Sequence, residues 1–305
     1  MPAEAIHLTA LREAMLSPRM DAPARRRFLR HEDAVRLGAT VVDLPYFDRF
    51  TGEVVRYLVR APARPSPWGQ RLHEQGPIEL LVALVGRGRR DDEAAALAIG
   101  LASHVVIDRT LHPLINALAT ARMSVDRADH GTLHREVEKF QSVCFHEDYA
   151  GHDAMGTPAM RRFIRVEPAS TLDRSPLGRV IVAALGEAYG EAPTAALLGR
   201  WGRGYRSYVG LIASPLGKIM APPSAKAWGR PTYTAGPWGD FPSLLARAIE
   251  ISIEVVNATA HALDCDDRER GAALAALTTW VPPGTIDDLG ATVDTKAPFV
   301  PCLPQ

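Results

Sequence analysis

The sequence predicts an all-α protein, a single-domain helical bundle over residues 1–305 with a long Gly/Pro loop and an irregular C-terminal tail. Three observations carry that expectation. Apolar residues recur at helical rather than alternating spacing along most of the chain. Proline and glycine punctuate these segments as loop residues between helices do. No internal repeat and no long linker divides the chain, so one layered helical domain is the simplest organisation. An apolar content of 47% over 305 residues is enough to bury a sizeable core.

Taken in order, residues 3–16 read as an amphipathic helix whose apolar face is Ile6, Leu8, Leu11, Met15 and Leu16. A Pro-containing break at 17–23 leads to a second helix at 24–38, with Gly38 as its C-terminal cap. The stretch 39–48 leaves the helix and turns at Pro45, and 61–69 is a loop by composition. A short helix follows Pro77 over 77–86. Residues 91–112 form the clearest helix, capped by Asp91 or Asp92 and apolar all round, as a buried central helix is. Pro113 disfavours helical geometry at His112 and is expected to end or kink the helix there. Helices are expected at 127–145, at 176–213 with interruptions, at 243–264 and at 267–280. The loop 221–242 carries Trp228, Tyr233, Trp238 and Phe241, which either face a substrate or close over the core. A metal-site half (1–150), a helical remainder (151–280) and the tail (281–305) complete the plan.

Several function classes are disfavoured. Lys plus Arg equals Asp plus Glu at 35 each, which argues against a general nucleic-acid binder. Cys144, Cys265 and Cys302 form no CxxC pair and read as inert thiols. The N-terminus has no uninterrupted apolar region and no apolar run approaches the roughly 20 residues of a membrane span, so a cytoplasmic protein without a transmembrane segment is expected. Walker A, GxSxG and a GxGxxG in proper context are absent.

Histidine is distributed unevenly, with nine of the ten in the first half. The strongest motif is SHVVIDRTLHP at 103–113. His104, Asp108 and His112 recur every fourth residue, so each side chain advances only about 40° and all three share one helix face. Burying an unpaired carboxylate there is costly, and either a metal ion or a His–Asp hydrogen bond must compensate. His134 and Glu138 in HREVE repeat the spacing, a pattern also common on solvated faces, but here one loop after the first motif. His7, Asp43 and His73 each sit beside an expected helix boundary or turn and are unremarkable singly.

Together these residues resemble the zinc-dependent phospholipase C family and, more distantly, the single-strand-specific nucleases. The resemblance is carried by the His7 helix, GATVVDLPYF at 38–47, His73, GLASHVVIDRTLHPLIN at 100–116 and HREVE at 134–138, and continues weakly to the tail DDLGATVDTKAPF. It implies a cluster of up to three zinc ions in a cleft at the ends of a helical bundle; two or three ions are expected here, with iron or another divalent metal as the alternative. By position, Asp43, His73, His104 and Asp108 match one zinc site, and His112, His134 and Glu138 a second. His7 with a bridging Asp108 matches part of a third, which the mature N-terminal amine completes in secreted members. The implied activity is metal-dependent hydrolysis of a small-molecule or lipid phosphoester. Close divalent ions activate water at neutral pH and stabilise the attacking and leaving oxygens at phosphorus. Asp43, where it is not a tight ligand, is the candidate to orient or deprotonate that water.

Competing readings remain open at this level. A di-iron oxidase needs two Glu-x-x-His motifs, and the chain offers Glu4–His7 alone. A phosphohydrolase built on an adjacent His-Asp pair would have to use His152–Asp153, in a loop-like context. A biosynthetic enzyme with a non-phospholipid substrate and a non-catalytic, metal-stabilised helical protein are the others. The run ARRRFLRHE at 24–32 reads as a solvated face rather than a phosphate site.

Overall fold

The computed structural model describes residues 3–59, 61, 64–74, 76–123, 129–220, 226–227, 229–230, 233 and 240–280. Among these residues the protein is helical, with no β-strand. In chain order the helices are α1 (Ala3–Leu16), α2 (Ala22–Arg30), α3 (Glu32–Gly38), α4 (Phe50–Leu58), α5 (Pro67–Glu74), α6 (Pro77–Gly88) and α7 (Asp92–Met123). There follow α8 (His130–Ala150), α9 (Pro158–Ile164), α10 (Pro176–Tyr189), α11 (Ala195–Ile212), α12 (Phe241–Asp264) and α13 (Arg270–Trp280). Short 3-10 turns lie at Leu44–Phe47, Glu167–Thr171 and Pro215–Met220. The main core cluster draws on residues from Ala5 to Leu277.

Helix α7 is the axis of the bundle. Asp91 caps it, its carboxylate accepting the N–H groups of Glu93 at 2.9 Å and Ala94 at 3.1 Å. Every residue from Ala94 to Ile115 is buried, and α12, α3, α6 and α8 pack around it. Contrary to the sequence-based expectation, this helix is long and apolar enough to cross a membrane. Its apolar window is entirely buried within the protein, as in the core helix of a bundle.

Pro113 neither ends nor breaks α7, which runs on to Met123. A proline inside a helix costs about 3 kcal/mol. Packing offsets that cost, because Leu114 and Ile115 join Ile6, Ala10, Ile107, Leu111 and Val137 in a second apolar cluster.

The single helix expected over 24–38 is two helices, broken at His31 (φ −130°, ψ 38°). Gly38 is not a left-handed cap. It is a point of contact: a Cβ there would lie 2.2 Å from the Leu97 carbonyl oxygen, and one at Gly100 would lie 1.9 Å from that of Val35. The break gives α3 its own direction, and the two glycines let its backbone meet that of α7.

Other departures are local. Helix α1 is buried around most of its length rather than along one face, and Leu16 is exposed. Helix α4 occupies a stretch with no helical expectation. The expected 61–69 loop is helical from Pro67, where the Ser66 hydroxyl accepts the Gly69 N–H at 3.2 Å. In the basic run, Arg25 donates to the Ser17 carbonyl at 2.7 Å and Arg27 pairs with Asp264. Cys144 and Cys265 are buried free thiols. Trp228, Trp238, Cys302 and the tail 281–305 lie outside the described residues, while Tyr233 packs on Phe241 with ring centroids 5.6 Å apart.

Candidate metal centre

The i, i+4 stripe of α7 places Asp108 among three imidazoles. His7 Nε2 and His104 Nε2 each lie 3.0 Å from an Asp108 oxygen, and His112 Nε2 lies 3.5 Å away. His7 comes from the middle of α1, not from a helix boundary, and its ring stacks on His104 at 4.0 Å. One α7 turn on, His112 meets the α8 pair: its Nε2 is 3.4 Å from Glu138 Oε1, and His134 Nε2 is 3.3 Å from the same oxygen. On the other side Asp43, at the entrance to the Leu44–Phe47 turn, lies 3.4 Å from His73 Nε2 and 4.0 Å from His104 Nδ1. The eight residues singled out in the sequence thus meet in three linked groups: His7–His104–Asp108, Asp43–His73–His104 and His112–His134–Glu138. Within each group the candidate ligand atoms lie within 4.8 Å of one another.

The outer nitrogens of three histidines are anchored. His104 Nδ1 donates to the Ala39 carbonyl at 2.8 Å, the carbonyl that the α3–α7 glycine contact brings close. His73 Nδ1 donates to the Gly69 carbonyl at 2.7 Å, and His134 Nδ1 to Asn116 Oδ1 at 2.7 Å. In the neutral imidazole each Nε2 is then a lone pair facing a carboxylate. Two electron-rich atoms at 3.0–3.4 Å repel unless a cation lies between them. His7 Nδ1, His104 Nε2 and Asp43 Oδ2 are moreover buried without a hydrogen-bond partner. Nitrogen and carboxylate oxygen are the donors zinc takes, and outward anchoring of the second ring nitrogen is how histidine ligands are oriented. The residues fit the metal.

In the metal-free chain protons take the cation's place. Burial pushes the Asp108 carboxyl up, but His104, His112 and His7 together hold it well below the usual range. Glu138 follows the same pattern, its burial overcome by His134 and His112. Burial pulls the His104 imidazole down, and the charges of Asp108 and Asp43 override it, raising the group to about 9.

A family model described as zinc-dependent phospholipase C matches residues 6–174. The chain belongs to the zinc-dependent phospholipase C family. The matched segment contains all eight residues of the centre. No curated protein and no solved structure matches the chain.

Two residues beside the centre are not among the candidate site residues of the sequence reading. Asn116 continues the α7 series 104–108–112 by one more fourth residue, and the end or kink expected at Pro113 hid it. Glu4 lies one turn before His7, buried near Tyr208 and Asp43. Burial first, then the Asp43 charge, raises its carboxyl to about 8. The Glu-x-x-His spacing was its only signal. His152 and Asp153 are exposed at the end of α8 and take no part in these groups.

Proposed function

We propose that this member of the zinc-dependent phospholipase C family is a hydrolase that cleaves a phosphodiester or related phosphoester. The observation that supports the reading most directly is the set of anchored imidazoles whose inner nitrogens face buried carboxylates. His104, with Nδ1 committed to Ala39, offers one nitrogen and so serves one ion, although it belongs to two groups. Asp108 has both oxygens within 3.0 Å of imidazoles and would be shared between ions bound there. His7, His104, Asp108, Asp43 and His73 then form one part of a two- or three-ion centre, and His112, His134 and Glu138 the other. Zinc bound there supplies Lewis acidity toward the phosphate oxygens and lowers the pKa of water.

The chain's own residues supply the rest. Ala39, Gly69 and Asn116 fix the ring planes. Burial of His104 and Asp108 lowers the local dielectric and strengthens every charge interaction in the centre. Asp43, part-exposed and beside Glu4, would take up the proton of the attacking water where it does not itself ligate an ion.

Chelator treatment abolishes hydrolysis of bis(p-nitrophenyl) phosphate and zinc restores it, with at least two transition-metal ions per chain by elemental analysis. Cleavage that survives chelation overturns the reading, as does metal-loaded protein that leaves every phosphoester intact but consumes oxygen with a reductant.

A further inference from the structure

A cavity of about 430 Å³ lies beside the metal centre. Tyr46 joins the two: it lines the cavity, and its hydroxyl is 3.5 Å from His73 Nδ1. Helix α8 joins them again, with Glu138 in the centre and Lys139 in the cavity wall. Tyr46, Phe50, Trp68, Trp201 and Tyr208 put five aromatic side chains in its walls. The volume suits a small organic group.

Charge decides which group. Six cationic side chains line the cavity against three acidic ones. Each acid is already engaged: Asp48 with Arg200 at 3.0 Å, Glu53 with Arg64 at 3.7 Å, and Glu136 at 3.0 Å with Arg122, which does not line the cavity. Arg49 and Arg135 line it too, and neither pairs with a carboxylate among the described residues. Arg49 also has a φ of 57°, the one non-glycine in the left-handed region among the described residues. Such strain persists where surrounding structure imposes it and clusters at ligand-binding positions. Aromatic walls alone would also suit a quaternary ammonium. An excess of guanidinium groups around the same space repels one and attracts an anion.

We propose that the cavity is a second anion subsite, so that the substrate carries an apolar, ring-sized body with its own carboxylate or phosphate in addition to the ester at the metal centre. Arg49 and Arg135 hold that second anion, and the aromatic walls cover the apolar body. The inference rests on the phosphoesterase reading for the ester, but the subsite is tested without turnover.

The test uses the zinc-loaded full chain, with 2-naphthoate and its uncharged analogue 2-naphthalenemethanol as probes and tryptophan fluorescence as the signal. Naphthoate binds about tenfold tighter, the scale of one charge-assisted contact. In the Arg49→Gly/Arg135→Gln double variant the preference disappears at unchanged zinc content. Glycine keeps the left-handed backbone at 49, so the variant retains the fold. Equal affinity for the two probes overturns the proposal. A preference that survives in the double variant also overturns it, since the metals would then be holding the anion. Binding to phosphatidylglycerol vesicles without naphthoate binding overturns it in favour of a lipid surface. The two readings separate in hydrolysis: a protein that binds naphthoate through the two arginines but cleaves no phosphoester keeps the subsite and loses the phosphoesterase.

Discussion

His104 and His146 are both fully buried on long helices, and they do opposite things. His146 has both nitrogens in neutral contacts: Nδ1 donates to the Ser142 carbonyl at 2.8 Å and Nε2 lies 3.0 Å from the Thr9 hydroxyl. Burial pulls it down to about 4, so it stays neutral. His104 also satisfies its outer nitrogen on a carbonyl, but its inner nitrogen lies 3.0 Å from a carboxylate. Burial therefore does not mark a ligand. The partner of the second nitrogen separates the two, because a neutral group completes an imidazole whereas an anion calls for a cation beside it, a proton or a metal ion.

The largest effect that would break this contrast falls on the shared anion. Asp108→Asn removes the carboxylate common to three imidazoles. The expected result is protein depleted of metal with turnover at the level of the chelated protein. Loss of one partner from a buried ionic cluster costs roughly 3–5 kcal/mol of stability. Elemental analysis and thermal unfolding read both, and full metal content in the variant would show that the groups around Asp108 hold no ion.

The metal-free protein sharpens the contrast through pH. His104, raised to about 9, contributes stability that is complete below its ordinary value near 6.5 and lost as pH rises toward 9. His146, lowered to about 4, contributes stability present above 6.5 and lost as pH falls toward 4. Denaturant unfolding of the chelated protein should therefore show slopes of opposite sign on the two sides of neutrality. His104→Gln flattens the alkaline arm and His146→Gln the acid arm. Glu4, raised from 4.5 to about 8, loses stability with rising pH across that whole window, so it steepens the alkaline arm and offsets the His146 arm between 4.5 and 6.5; the two histidine arms are therefore read in the Glu4→Gln background. Zinc removes the His104 slope, because metal replaces the proton there. His146→Gln keeps its zinc. An alkaline arm indifferent to both His104→Gln and zinc would contradict the assignment.

The smallest effect concerns an anchor. Asn116→Ala frees the outer nitrogen of His134 while leaving every candidate ligand in place. Zinc affinity should drop by roughly 10–100-fold, the usual cost of losing a ligand's orienting partner. Competition with a chromogenic chelator measures it, and unchanged affinity would mean that packing alone orients the ring.

Much of this molecule is written in local periodicity. The His104–Asp108–His112 face and the His134–Glu138 pair follow from helix geometry alone, since a fourth-residue step returns to nearly the same side whatever lies outside the helix. The central position of α7 follows from its apolar circumference, and its cap from Asp91. The resemblance singled out His7, Asp43 and His73, which single-residue reasoning left unremarkable.

Other features depend on contacts between distant segments. Helix α7 passes through Pro113 because burial on the far side outweighs the local penalty, and with it Asn116 reaches α8. The Ala39 carbonyl reaches His104 because two glycines, 62 positions apart by their numbers, let two backbones touch. The side chain of Glu4 is buried beside Asp43 because α1 is enclosed rather than laid on a surface. Composition and spacing thus determined which residue types share a helix face. The tertiary structure alone decided which nitrogen of each histidine points inward and what it meets, because tautomer and charge depend on the partner that packing delivers.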